Sequence, residues 1–357
     1  MLVEALRTRH RVCVIAPIPW HQHLNAPHVH NSDADTFHPI YVFPPKILRR
    51  YYHHFYWQSV RCCLQRLERE FKPQVVLGYW LHPDGAVAVR AAERLSVPAL
   101  VMSGGSDLRL LTKHRSRQAA IRRVITSADK LIVFSRELAA QAQRLGVPAD
   151  KLDVIYRGVN RQCFYPRDRA QSRDACGLSQ KAIVLLWVGR MESVKNPWLL
   201  LRAAAHWRRH WGNRLRVILA GGGPLQPELE SLSRQLQLDD TVKFVGSLTH
   251  SELALWYNAA DLTVLTSFSE GVPNSLLESI ACGTPFVATD VGGIAEIASP
   301  VHDRLVPSDN VQALASAVVE RMQSSSAEER EFIPADVAEM AEQFESAIAS
   351  VLSTSDL

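Results

Sequence analysis

Residues 267–293 read SFSEGVPNSLLESIACGTPFVATDVGG, and the fold turns on how this stretch is read. DLTVLT (261–266) before it has strand character, and a polar loop holding Glu270 and Gly271 follows. NSLLESIAC (274–282) then reads as a helix that Asn274 or Ser275 can cap, and PFVATD (285–290) as a second strand ending at Gly292 and Gly293. Strand, loop, helix and strand in that order form the repeating step of a parallel sheet. Two carboxylates lie in it eight positions apart, Glu270 ahead of the helix and Glu278 inside it. The expected placement leaves Glu270 at a cleft edge and Glu278 one turn inward, where a carboxylate can accept paired ribose hydroxyls. Amides from Gly271 through Val272, Pro273 and Asn274 to Ser275, with the helix dipole, would hold an anion beside them. A surface cap with a solvent-facing glutamate fits the same residues.

The alternation continues on both sides. Upstream come AIVLLWVG, NPWLLLRAAAHWRRHW, RLRVILAGGG, LQPELESLSRQLQL, TVKFVG and HSELALWYNAA, alternately strand and helix. The first half repeats the pattern in QVVLGYW, DGAVAVRAAERL, PALVMSGG, a basic helix over 115–129, KLIVFS, RELAAQAQRLG and KLDVIYRG. Between the halves lies a polar change of composition, RQCFYPRDRAQSRDACGLSQK (161–181). The expected organisation is one α/β domain over 1–165, a second over 166–330, and a long helical tail over 331–357 packed back across them. Two such domains leave a cleft between them, a default ligand site.

Of the 357 residues, 47% are hydrophobic and 21% charged, which excludes a disordered or fibrous chain. The six cysteines form no CxxC pair, so neither a disulfide framework nor a zinc box is expected. The net charge of +4 conceals a division: 27 Lys and Arg against 14 Asp and Glu in 1–175, but 13 against 22 in 176–357. A uniform nucleic-acid coat is thereby excluded, and no clustered recognition element supports nucleic-acid binding. The basic half suits phosphate or an anionic membrane surface. No apolar run is long enough to span a bilayer, and the first twenty residues lack the apolar core of a secretion signal. A cytoplasmic location follows, with attachment at the inner membrane face in reach. His21, His23, His28 and His30 lie in a polar excursion without ligand spacing.

Two further features concern phosphate. In VGRMESVKNP, Gly189 follows a strand, Arg190 and Lys195 set two cations near its carboxyl end, and Asn196 with Pro197 opens a helix. That arrangement suits a diphosphate, although strand-end cations also serve as solvated loop residues. The turn AGGGP with Gly221, Gly222 and Gly223 again follows a strand, but it matches neither GxGxxG nor a P-loop.

Taken together, GRMESVKNP, AGGGP, VKFVGSL and LALWYNAADLTVLTSFSEGVPNSLLESIACGTPFVATDVGGIAEI resemble the donor domain of the retaining family 4 glycosyltransferases. The first half resembles the same family through VIAPIPW, LGYWLHPDGAVAVRAAERLSVPALVMSGGSDLRLL and KLDVIYRGVNRQCFYPRD. The resemblance implies the GT-B class of α/β fold, two Rossmann-like domains facing a cleft. It implies a nucleotide-sugar donor, UDP- or GDP-linked, with no cofactor and no required metal. Arg190 and Lys195 then match the pair that stabilises the departing nucleoside diphosphate, Glu278 the ribose ligand, and Glu270 the contact to sugar hydroxyls. Gly221–Gly223 and Phe244–Gly246 match the base-side wall.

On the acceptor side, His82 and Asp107 are candidates, each with a structural alternative as a helix cap or loop residue. Where relatives often carry His or Arg before Gly-x-Asp, this chain has Gly104. Arg49 and Arg50 with Tyr51, Tyr52, Phe55, Tyr56 and Trp57 mix cations and aromatics as membrane surfaces do, or form a core with a solvated face. The expected acceptor is a saccharide or lipid-linked glycan used in cell-surface polysaccharide or glycolipid synthesis. A synthase of small soluble glycosides and a silent ligand-binding relative are the alternatives. Family members begin with a strand and a Gly-rich loop ahead of the helix that LVEALRTRH finishes, so the first domain is expected to lack both.

Overall fold

The computed structural model describes residues 2–23, 35–44, 47–109, 111–113, 115–324 and 328–355. His28 and His30 of the polar excursion lie outside them. The chain divides into two units, Met1–Tyr156 with Val337–Leu357, and Arg157–Asp336.

In the first unit, β1 (Val14–Ile15), β2 (Ile18–Pro19), β3 (Thr36–Phe37) and β4 (Ile40–Tyr41) pair in parallel, β1 with β3 and β2 with β4. In RVCVIAP (11–17) only Val14–Ile15 forms a strand, half-buried and two residues long, and it pairs with β3 and not with the main sheet. That sheet is four-stranded and parallel, β5 (Val76–Tyr79), β6 (Ala99–Ser103), β7 (Lys130–Val133) and β8 (Leu152–Val154) in sequence order.

Successive side chains of a strand face opposite sides, so β6 feeds two cores. Ala99 and Val101 pack with Val89, Ile121, Val124 and Leu138 from the helices on one face. Leu100 and Met102 pack with Met340, Phe344, Ala347 and Val351 of the helix Val337–Ser355 on the other. The final helix therefore completes the core of the first unit. Arg9 adds 3.0 Å ion pairs to Glu342 and Glu345 of that helix.

The second unit holds β9 (Ile183–Val188), β10 (Leu215–Ala220), β11 (Val242–Gly246), β12 (Leu262–Leu265), β13 (Phe286–Thr289) and β14 (Arg304–Val306). All pair in parallel in the order β11-β10-β9-β12-β13-β14. Helices cover both faces, which is why β9 reads as an unbroken apolar run and β12 as one broken only by Thr263. The strand order reverses direction between β9 and β12, so the loops leaving their carboxyl ends diverge and open a crevice there.

The boundary expected at 165/166 falls at 156/157, and the tail helix begins at Val337 and not at 331. Hydrogen bonds give the reason. The amide of Val159 donates to the Ala335 carbonyl at 2.9 Å, and that of Arg167 to Asn258 Oδ1 at 2.6 Å. Residues 157–168 are thus tied into the second unit before its first strand.

Candidate functional site

The crevice between β9 and β12 collects most of the residues singled out above. After β9, Gly189 donates its amide to Ala220 O at 3.0 Å, and Met191 donates to Gly222 O at 3.0 Å. The loop thus lies flat against the glycine turn that ends β10. A Cβ on Gly221 would sit 2.1 Å from Gly189 O, and one on Gly223 would sit 2.4 Å from Met191 O. Gly221 also adopts φ +123°, a region that suits glycine. The AGGGP turn is therefore required by close backbone approach, with Gly221 also donating to Gly246 O at 2.7 Å. Phe244 packs half-buried on the adjoining core.

Lys195 ends a short 3-10 turn, Ser193–Lys195, and Asn196 follows at φ +44° ahead of the helix Pro197–Trp211. The carbonyl of Lys195 accepts from Thr266 Oγ1 at 2.9 Å, and Thr266 Oγ1 itself accepts from Trp187 Nε1 at 3.1 Å. The loops after β9 and β12 are fastened together by this chain. Lys195 Nζ then reaches Glu270 Oε1 at 2.6 Å, and Ser267 Oγ donates to the same oxygen at 2.6 Å. The Glu270 side chain is only 9% exposed. An ammonium has three donors, so one is committed to Glu270 and two remain for a ligand. Arg190 stands apart, 70% exposed and 3.5 Å from Glu192.

The helix Asn274–Ala281 begins beyond Pro273. Neither Asn274 nor Ser275 caps it with a side chain; the cap position is Pro273, because the helix starts one residue earlier than a capping Asn274 would require. Val272 and Pro273 are buried. The amides of Asn274 and Ser275 are in the first turn, where no intrahelical carbonyl can receive them. Glu278 Oε2 accepts from Tyr257 Oη at 3.0 Å. Burial pushes the Glu278 carboxyl up to about 7, against the opposing effect of that hydrogen bond.

In the first unit, Asp107 is fully buried. Its Oδ1 accepts from Ser103 Oγ at 2.6 Å, Leu108 N at 3.0 Å and Gly105 N at 3.1 Å, and its Oδ2 accepts from Leu81 N at 3.0 Å. His82 is buried next to this brace, its Nε2 3.2 Å from His53 Nδ1. Trp57 belongs to a core with Val60, Leu64, Val87 and Ala91, and Tyr56 donates its hydroxyl to Asp84 at 3.1 Å. These two aromatics are structural, since the helix Tyr52–Glu70 turns them inward; Ile47, Leu48, Arg49, Tyr51 and His54 are exposed. Among the described residues no group of three or more His, Cys, Asp and Glu could hold a metal ion, and no helix is long and apolar enough to cross a membrane. Sequence reasoning assigned no role to Tyr257, Thr266 or Ser267, although all three fall inside quoted motifs.

A parallel sheet with two loops joined at its reversal point, beside Lys195 and a helix start, defines a Rossmann-like unit. Residues 1–162 match the family model described as Glycosyltransferase Family 4, and residues 182–324 match the one described as Glycosyl transferases group 1. The chain belongs to this glycosyltransferase family. It is 34% identical to a D-inositol 3-phosphate glycosyltransferase from Kribbella flavida over 67% of this chain and 60% of that one. Against two further curated relatives the chain spans 54% of their length.

Among solved structures, sucrose-phosphate synthase from Thermosynechococcus elongatus superposes with a TM-score of 0.68 at 21% identity, covering 89% of this chain and 79% of that one. Anabaena HepE, solved with UDP and glucose, gives a TM-score of 0.67 at 17% identity, covering 99% and 92%. The fold is accordingly the GT-B class of two Rossmann-like α/β units.

Proposed function

We propose that the chain transfers a sugar, with retention, from a UDP- or GDP-linked donor to an anionic saccharide or lipid-linked acceptor. The observation that carries this reading is the Lys195–Glu270 pair at the reversal point of the second sheet. Its ammonium retains two donors for a diphosphate while Glu270 keeps Oε2 for sugar hydroxyls. Negative charge grows on the leaving diphosphate as the bond from C1 to phosphate oxygen breaks. Lys195, with Arg190 turning inward from its solvated position, stabilises that charge more than the ground state. The acceptor hydroxyl bonds to C1 on the face the phosphate leaves, and its proton passes to the departing phosphate oxygen. Glu270 and Glu278 act as ligands in this scheme and not as the flanking pair of a retaining glycosidase.

These cations and the helix amides fill the part a divalent metal would play, so turnover is expected to survive EDTA. The test is nucleoside diphosphate release from UDP-, GDP- and ADP-sugars, with and without EDTA. Release from one donor class, unchanged by chelation, is the predicted result; no release from any, or loss with EDTA, contradicts it.

The acceptor reading follows the basic first half. A lipid-linked glycan at a cell membrane is the main version, with Ile47, Leu48 and Tyr51 beside Arg49 as the contact. Co-sedimentation with anionic but not neutral vesicles at physiological salt is expected; equal recovery with both refutes the membrane contact. A small phosphorylated polyol is the second version, favoured by the name of the Kribbella relative.

A further inference from the structure

Tyr257 is fully buried in the helix His250–Ala259 and is held at both ends. Its ring meets Phe164 edge-on, with centroids 6.0 Å apart, and its carbonyl accepts from Thr284 Oγ1 at 2.7 Å. Its hydroxyl reaches Glu278 Oε2 at 3.0 Å, the one hydrogen bond to that side chain among the described residues. Oε1 of Glu278 is not among the buried atoms left without a partner, so it keeps access to solvent.

We propose that Tyr257 is a positioning residue for donor binding: its hydroxyl fixes one oxygen of Glu278 and leaves the other to accept the ribose hydroxyls. This rests on reading Glu278 as the ribose ligand. A phenol carries one proton, so the bond favours Glu278 as a carboxylate, the form that ribose hydroxyls need. The groups facing Glu278 are Tyr257 from its helix and Cys282 from the turn after the helix Asn274–Ala281, and burial pushes the Cys282 thiol up to about 12, which keeps it neutral. Arg167 and Cys163 face Cys282. Among the described residues no cation assists the carboxylate, and burial opposes it. Tyr257 is therefore the group that favours ionisation.

Donor binding is consequently coupled to loss of a proton. Glu278 lies near 7 in the free protein and is drawn to the carboxylate by ribose, so affinity rises as pH rises through 7 and levels off above it. Near pH 7, binding releases a fraction of a proton. Tyr257→Phe keeps the ring and removes the hydrogen bond. It should move the rise in affinity to higher pH and weaken binding at pH 7 about tenfold, with the deficit shrinking in alkali.

The experiment is calorimetric titration of UDP and of GDP into the full chain across roughly pH 6–9 in buffers of different ionisation enthalpy, with thermal unfolding in parallel. A shifted pH limb and greater proton release near pH 8 in Tyr257→Phe support the proposal. An unshifted limb overturns it, whether affinity is unchanged or falls equally at every pH with a lowered Tm, because the latter is a packing effect. Glu278→Gln separates the two layers of the argument. It should flatten the pH dependence; if it does so while Tyr257→Phe behaves as wild type, only the role of Tyr257 fails. If Glu278→Gln keeps both affinity and pH dependence, or neither nucleotide binds the wild type, the ribose reading itself is wrong.

Discussion

Lys195→Ala is expected to lower kcat by about 10²–10³-fold, with a smaller effect on donor KM. In the proposed scheme the ammonium meets a charge that grows as the diphosphate leaves, so its removal is expected to act mainly on the transition state. The change also strands a carboxylate. Glu270 Oε1 takes both Lys195 Nζ and Ser267 Oγ at 2.6 Å, and its side chain is only 9% exposed. An uncompensated charge there costs about 3 kcal/mol, at the low end of the usual range because Lys195 itself is 22% exposed.

The two effects separate in the double variant Lys195→Ala/Glu270→Ala, which should recover most of the lost stability and none of the turnover. Urea unfolding and steady-state kinetics on the single and double variants measure both. Turnover that returns together with stability would reduce the pair to a structural brace.

Asp107→Ala should be the most damaging single change in the first unit. It leaves the backbone amides of Leu81 and Leu108 and the Ser103 hydroxyl without their acceptor in a fully buried position, while the Gly105 amide keeps only its 3.2 Å bond to Ser103 Oγ. Each such group costs about 1–3 kcal/mol, and with partial relaxation the sum is about 4–6 kcal/mol, much of the stability of a domain. Asp107→Asn is not a rescue. Its amide nitrogen would face the Leu81 N–H in one orientation and the Gly105 and Leu108 N–H groups in the other, although the Ser103 hydroxyl can accept from it in the second. A loss of about 2–3 kcal/mol is expected. Chemical denaturation followed by the near-ultraviolet signal of the folded chain gives the measurement. Activity in Asp107→Asn should track the folded fraction; full stability with lost transfer would instead place Asp107 on the acceptor.

The alternation of strand-like runs and helices made the parallel sheets legible, because strands covered on both faces are mostly apolar, as IVLLWV is throughout and LTVL is but for Thr263, whose hydroxyl pairs with Ser279. Short edge elements were not. The strand Arg304–Val306 and the helix Val311–Gln323 pass unmarked in HDRLVPSDN and the run after it, since a three-residue edge strand carries too little pattern. Motif reading found Lys195, Glu270 and Glu278 but not that the first two pair with each other, since residues 75 positions apart meet only when β9 and β12 become neighbours.

Tyr257 escaped for the same reason: nothing local distinguishes a tyrosine in WYNAAD from any other core aromatic until its partner is placed. The glycines of AGGGP read as a bare tight turn, and only the approach of Gly189 and Met191 explains why side chains are barred at Gly221 and Gly223. Asp107, in contrast, sat within a quoted motif with both roles open, and the four donors around it identify a brace.

The central claim is that the donor nucleotide binds at the reversal point of the second sheet. Hydrogen exchange read by mass spectrometry, with and without saturating UDP or GDP, tests it most directly. Slowed exchange confined to peptides covering 189–195 and 266–278, and abolished in Lys195→Ala, is the predicted result. Protection that leaves those loops unchanged, or that appears only in residues 2–156, would contradict the account.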